Sequence, residues 1–120
     1  MTIYRLANYG TGVQNPMYIH GLSIEVHNMG HRNFDVLVEA YQNQVKIAEV
    51  LNQVRGVNDP QGNQTSLPMI TTGGLPFELR IITNRNTLAT AIFHINAWEN
   101  GQNVGTFTNE HLSVDGEEGG

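Results

Sequence analysis

Cysteine is absent, and with it go disulfides, thiolate nucleophiles and cysteine-ligated zinc. Lysine occurs once, at Lys46, and the five arginines (Arg5, Arg32, Arg55, Arg80, Arg85) are scattered. Phosphate backbones and anionic bilayers are bound by clustered cations. Nucleic acid and an anionic membrane surface are therefore not expected partners. No apolar run approaches the roughly 20 residues of a membrane-spanning helix, so membrane insertion is not expected either. The opening Met-Thr-Ile-Tyr-Arg-Leu-Ala-Asn-Tyr lacks the basic and then apolar pattern of a signal peptide. Serine is scarce (Ser23, Ser66, Ser113), and none lies in a G-x-S-x-G elbow. Thr71-Thr72-Gly73-Gly74 has glycines but no lysine, so it is a loop and not a phosphate cradle.

Charge of either sign is thin, at 14% of residues against a usual value of about 25%. Amides and threonine fill the gap, with 14 Asn, 10 Thr and 7 Gln. The net charge is −5, but residues 115–120 hold three of the acids and read as a flexible acidic tail. The rest of the chain is nearly neutral. At 120 residues and 39% hydrophobic content, the chain suits one domain with its own core.

The apolar pattern has period two. Leu22 to His27, Phe34 to Tyr41 and Phe77 to Thr83 alternate apolar and polar residues, as strands with one face on a core do. Ala91 to Glu99 and Gln102 to Thr108 flank Asn100-Gly101, a pair that accepts positive φ at both centres of a type I′ hairpin turn. His27 to His31 and Asn58 to Asn63 are turns by their Gly, Pro and Asn content. Val45 to Val54 is ambiguous. Ile47, Val50, Leu51 and Val54 fit a helix, yet the segment is rich in β-branched residues, and a strand is the preferred reading. Residues 55–76 form a long connection with a short strand near Leu67 to Thr71. Seven to nine short strands predict an all-β fold, a single β-sandwich of jelly-roll or immunoglobulin-like type. Its expected parts are an N-terminal arm or first strand (1–15), the sandwich (16–114) and the tail.

Candidate chemistry is sparse. His27 and His31 are four apart, as metal ligands on a helix would be, with His20 or Glu39 as a third donor. The turn residues between them argue instead for polar loop side chains. No metal and no cofactor is expected. His94 falls mid-strand on the outward face. Asp35 and Glu39 share a strand face but lie about 13 Å apart by strand rise. Only Glu25 or Glu78 from a neighbouring strand could complete a glycosidase-like pair of acids. Asn63-Gln64-Thr65 fits the glycosylation triplet, a chance match in a chain this rich in Asn and Thr. Nothing assembles a catalytic set, and an enzyme is not expected.

The faces turned away from the core are not cleanly polar. If Ala91, Phe93, Ile95 and Ala97 point inward, Ile92 and Trp98 point out with His94 and Asn96. Leu37 and Tyr41 likewise share a face with Asp35 and Glu39, and Ile82 with Glu78 and Arg80. Apolar residues on a second face point to a buried interface, against the alternative that loops cover them. The first residues alternate with both faces partly apolar: Ile3, Ala7 and Tyr9 on one, Tyr4 and Leu6 on the other. Gly10-Thr11-Gly12 follows as a hinge. That is the layout of an arm able to add a strand to another copy's sheet, or of the domain's own first strand. The expected self-assembly surface is thus Ile3, Tyr4, Leu6, Tyr9, Leu37, Tyr41, Ile92 and Trp98.

In architecture the chain resembles the small β-sandwich subunits of bacterial surface fibres and endospore appendages. The likeness covers about residues 17–114 and the arm. The cysteines that appendage subunits carry in their arm have no counterpart here. The resemblance implies a structural protein that self-assembles into a homo-oligomer or polymer at an extracellular, spore, cell or virion surface. The alternative is a ligand-binding sandwich, with Trp98, Tyr41 and Tyr18 stacking on a glycan. A virion or phage decoration protein is the third reading.

Overall fold

The structure is a computed structural model that describes residues 1–8 and 16–116. It is all-β, with nine strands: β1 (Thr2–Asn8), β2 (Gly21–Asn28), β3 (Phe34–Gln42), β4 (Val45–Val54), β5 (Gln64–Thr71), β6 (Phe77–Thr83), β7 (Ala91–Glu99), β8 (Gln102–Phe107) and β9 (Ser113–Gly116). Two short 3₁₀ turns, Pro16–Tyr18 and Asn109–His111, complete it. The strands form two antiparallel sheets, β4-β3-β6-β1-β9 and β5-β2-β7-β8, which make a single β-sandwich.

Alternation in the sequence becomes alternation in burial. β6 is buried at every odd residue from Phe77 to Thr83, and β7 at Ala91, Phe93, Ile95 and Ala97. A strand with one face on a core must look like this. The inner faces interdigitate across the sheets. Tyr4 of β1 meets Phe93 of β7 edge-on, with ring centroids 4.6 Å apart, a preferred aromatic geometry.

Only two of the eight connections, β3–β4 and β7–β8, are hairpins within a sheet, and the other six cross between sheets. Each of those two hairpins turns on a pair of positive-φ residues: Asn43 and Gln44 in one, Asn100 and Gly101 in the other. Tight two-residue turns need this left-handed backbone to match strand twist. The Asn100-Gly101 turn forms where its sequence places it.

Val45–Val54 is a strand, paired along its length with β3. It is the outermost strand of its sheet, so its side chains are mostly exposed, which explains the absence of clean alternation. β5 is longer than its sequence signal and holds Pro68. It is an edge strand, where a missing N–H is tolerated.

Residues 2–8 lie inside the domain's own sheet, between β6 and β9. This corrects the placing of Tyr4 and Leu6 on an assembly surface. Both point inward and are core residues, because their face of β1 closes the sandwich. The tail also begins later than expected, since Asp115 and Gly116 pair with Ile3 and Thr2 as the end of β9. Tyr9, the Gly10–Gly12 hinge and residues 117–120 lie outside the described residues.

The abundant asparagines hold loops to backbone. Buried Asn28 donates to the carbonyls of Arg32 (2.7 Å) and Val54 (3.3 Å) and accepts from Gly30 N–H (2.9 Å). Asn33 accepts from Gly56 N–H, and Asn63 donates to the Asn28 carbonyl. Asn109 extends the sheet beyond the end of β8, accepting from Phe93 N–H and donating to the Ala91 carbonyl, both at 2.8 Å. A short amide side chain supplies one donor and one acceptor group where no strand can reach.

Candidate functional site

The outer face of the five-stranded sheet carries a transverse apolar row. Cross-strand pairing aligns Leu51 of β4, Leu37 of β3, Ile82 of β6 and Ile3 of β1. Leu51 is 71% exposed, and the other three are half-buried by their neighbours. The next row reads Glu49, Glu39, Arg80 and Arg5 in the same strand order. This row is thus acidic on β4 and β3 and basic on β6 and β1, with the apolar row alongside.

Two details of this face set its electrostatics. Lys46 bonds Glu39 at 2.8 Å and lies 3.4 Å from Glu49. The hydrogen bond to Lys46 holds the Glu39 carboxyl below the usual carboxylate range, and the same bond holds Lys46 above the usual ammonium range. Arg5 and Arg80 lie directly opposite each other on adjacent strands. Arg5 reaches Asp115 at 3.2 Å, and Arg80 lies over the Tyr41 ring at 5.0 Å from its centroid. Their Nε atoms are buried and have no hydrogen-bond partner.

The outer face of the four-stranded sheet differs. Trp98 is half-buried there, its indole N–H donating to the Ser23 hydroxyl at 2.8 Å. Ile92 is 40% exposed and sits opposite His27. Between these two apolar residues on β7 lie His94 and Asn96, next to Glu25 and Ser23 of β2. Glu25, His27 and His94 bring one donor atom each within 4.8 Å of one another, the only such group of three among the described residues.

Of the residues expected to form one assembly surface, Ile3, Leu37 and Tyr41 share the five-stranded face, while Ile92 and Trp98 share the opposite one. Tyr41 and Trp98 therefore cannot stack on one sugar ring. Leu51, the most exposed member of the apolar row, escapes a sequence reading because β4 had no clear face. The pair His27 and His31 does not come together: the His31 ring bonds the Asn58 amide at 3.0 Å in a loop. Glu25 and Glu39 belong to different sheets, and Asp35 is bonded by the Asn84 amide at 3.2 Å.

A cavity of about 410 Å³ opens at one end of the sandwich, lined by Asn28, His31, Arg32, Asn84, Arg85 and Thr87 among others. Several of its polar groups are already engaged. Arg85 Nε–H donates to the Asn33 carbonyl at 2.9 Å, and Asn28 and Asn84 are held as described. No helix among the described residues is long and apolar enough to cross a membrane.

Fold and surface define a small β-sandwich with an apolar row and a charged row on one outer face and a histidine-carboxylate cluster on the other. Comparison with protein-family models, curated proteins and solved structures gives no match.

Proposed function

We propose that the protein is a structural subunit that assembles with copies of itself, and that the outer face of the five-stranded sheet is the contact surface. One observation carries this reading: Leu51, Leu37, Ile82 and Ile3 form an unbroken apolar row across four adjacent strands. Large side chains in such a row gain by leaving water, at about 25 cal/mol for each Å² of apolar surface covered. The sandwich measures 39 × 29 × 23 Å, so a whole face offers roughly 1,000 Å². A stable interface takes about 800 Å² from each partner.

The charges agree with a second copy as the occupant. A two-fold, face-to-face pairing sets the Glu49–Glu39 end of the charged row of one copy against the Arg80–Arg5 end of the same row in the other. The near-neutral surface, with its single lysine, supports association in the same direction. β1 is flanked on both sides over residues 2–5, so the proposal puts the contact on the sheet face and not on strand donation by residues 3–9. The setting proposed is a surface-exposed assembly, as the resemblance to subunits of bacterial surface or endospore-appendage fibres implies.

Light scattering coupled to size exclusion, with negative-stain microscopy, tests the idea across a concentration series. The expected result is a species larger than 13.3 kDa. It should revert to monomer in a Leu37→Lys, Ile82→Lys double variant whose circular dichroism is unchanged. A wild-type chain that stays monomeric at millimolar concentration overturns the proposal.

A further inference from the structure

We propose that Glu25, His27 and His94 form a binding site for a divalent transition metal of the zinc class on the outer face of the four-stranded sheet. The inference is independent of self-assembly.

The site is built by the sheet itself. Glu25 and His27 are two residues apart on β2, so both project to the same face. His94 of β7 is the direct cross-strand partner of Glu25. β2 and β7 are the two central strands of their sheet, paired with each other along eight positions. The donors thus stand on the most constrained backbone of that sheet.

The distances suit an ion. Glu25 Oε2 lies 3.8 Å from His27 Nε2 and 4.0 Å from His94 Nδ1. The two imidazole rings are 5.4 Å apart by centroid and tilted by 54°. A tetrahedral ion with bonds of about 2.0–2.2 Å sets its donors about 3.3–3.6 Å apart. The two carboxylate-to-imidazole spacings exceed this by a few tenths of an ångström, and all three donors lie within 4.8 Å of one another.

An independent observation points to a ligand. His27 Nε2 is shielded from solvent and has no hydrogen-bond partner. Buried polar nitrogens are nearly always satisfied. This one faces the Glu25 carboxylate at a distance too long for a hydrogen bond and suitable for a shared cation. Two imidazoles and one carboxylate select zinc, nickel, cobalt or copper over calcium and magnesium, which take oxygen donors. Three protein ligands leave a coordination position for water or for a donor from a bound molecule.

Isothermal titration of zinc chloride into the full chain, in a non-chelating buffer, tests the site. Saturable uptake of one zinc per chain is expected, with a rise in melting temperature that EDTA reverses. Calcium and magnesium chloride should give neither. A His27→Gln, His94→Gln double variant should lose at least about tenfold in zinc affinity, and a Glu25→Gln variant should weaken it too. A His31→Gln, His111→Gln variant should bind as the wild type does. The proposal is overturned if the wild type shows no saturable uptake, or if the double variant binds zinc unchanged. The wild-type titration decides even where a variant fails to fold.

Discussion

The hydroxyl of Tyr4 lies 2.8 Å from that of Thr87, inside the sandwich and 83 residues along the chain. Thr87 is also 3.0 Å from Thr83, and its N–H donates to the hydroxyl of Thr2. Three buried threonines and one tyrosine thus close one end of the core with a satisfied polar network. Tyr4→Phe should cost about 1–2 kcal/mol, because a buried hydroxyl loses its partner. Tyr4→Ala should cost about 3–5 kcal/mol, because the ring packed on Phe93 is lost as well. Urea unfolding followed by tryptophan fluorescence measures both, and equal losses would refute the role given to the hydroxyl.

Burial raises the Tyr4 phenol above its ordinary value, and the Thr87 bond only partly offsets this. A raised folded value means stability that is complete below the unfolded value of about 10 and lost as pH rises through the folded one. Alkaline unfolding should therefore begin above about pH 10, and Tyr4→Phe should flatten that limb. Ultraviolet titration should show a late-ionising phenol that Tyr4→Phe removes.

Glu39 carries the opposite sign. Its folded value is lowered, so its contribution is present above about pH 4.3 and lost as pH falls through the lower folded value. Glu39→Gln should lower the urea midpoint at neutral pH by an amount that shrinks towards zero as pH falls through the lowered folded value. A pH-independent difference would mean that the pairing with Lys46 does not contribute.

Asn28 makes three hydrogen bonds to backbone from a buried position. Asn28→Ala should cost about 2–3 kcal/mol, since Gly30 N–H and two carbonyls are left to find water. Asn28→Asp keeps the acceptor and loses the donors, and should recover only part of that loss.

Two turn positions should respond in opposite directions. Gln44 sits at φ 64 in the β3–β4 hairpin, a conformation that glycine adopts freely. Gln44→Gly should stabilise by about 0.5–1 kcal/mol. A Cβ on Gly56 would stand 2.3 Å from the His31 carbonyl oxygen, a backbone atom that cannot swing aside. Gly56→Ala should destabilise by about 2 kcal/mol or more. Thermal melts of the two variants give the signs directly.

Half-buried strands were the legible part of the sequence. β2, β3, β6 and β7 alternate because one face of each meets the core. β4 was ambiguous because an edge strand has no such constraint, and β9 was hidden because Ser113–Gly116 is too short to show a period. The histidine cluster was illegible for a different reason. Glu25 and His94 meet through sheet register, which depends on the whole fold, whereas His27 and His31 drew attention by a spacing that only a helix would use. The abundance of asparagine does not tell which amides serve the fold, as Asn28 and Asn109 do by bonding backbone. Leu37, Ile82 and Ile3 were readable as outward apolar residues, but their alignment into one row required the pairing of four strands.

Thr2 and Gly116 are ladder partners, so the two extremities of the described fold lie about one strand spacing, roughly 5 Å, apart. A tag fused at either end would leave from the same lateral margin of the five-stranded sheet, beside Ile3 rather than over the histidines. A short linker should also join them, which makes the sandwich a candidate for circular permutation with new termini cut at the exposed Pro60–Gly62 turn.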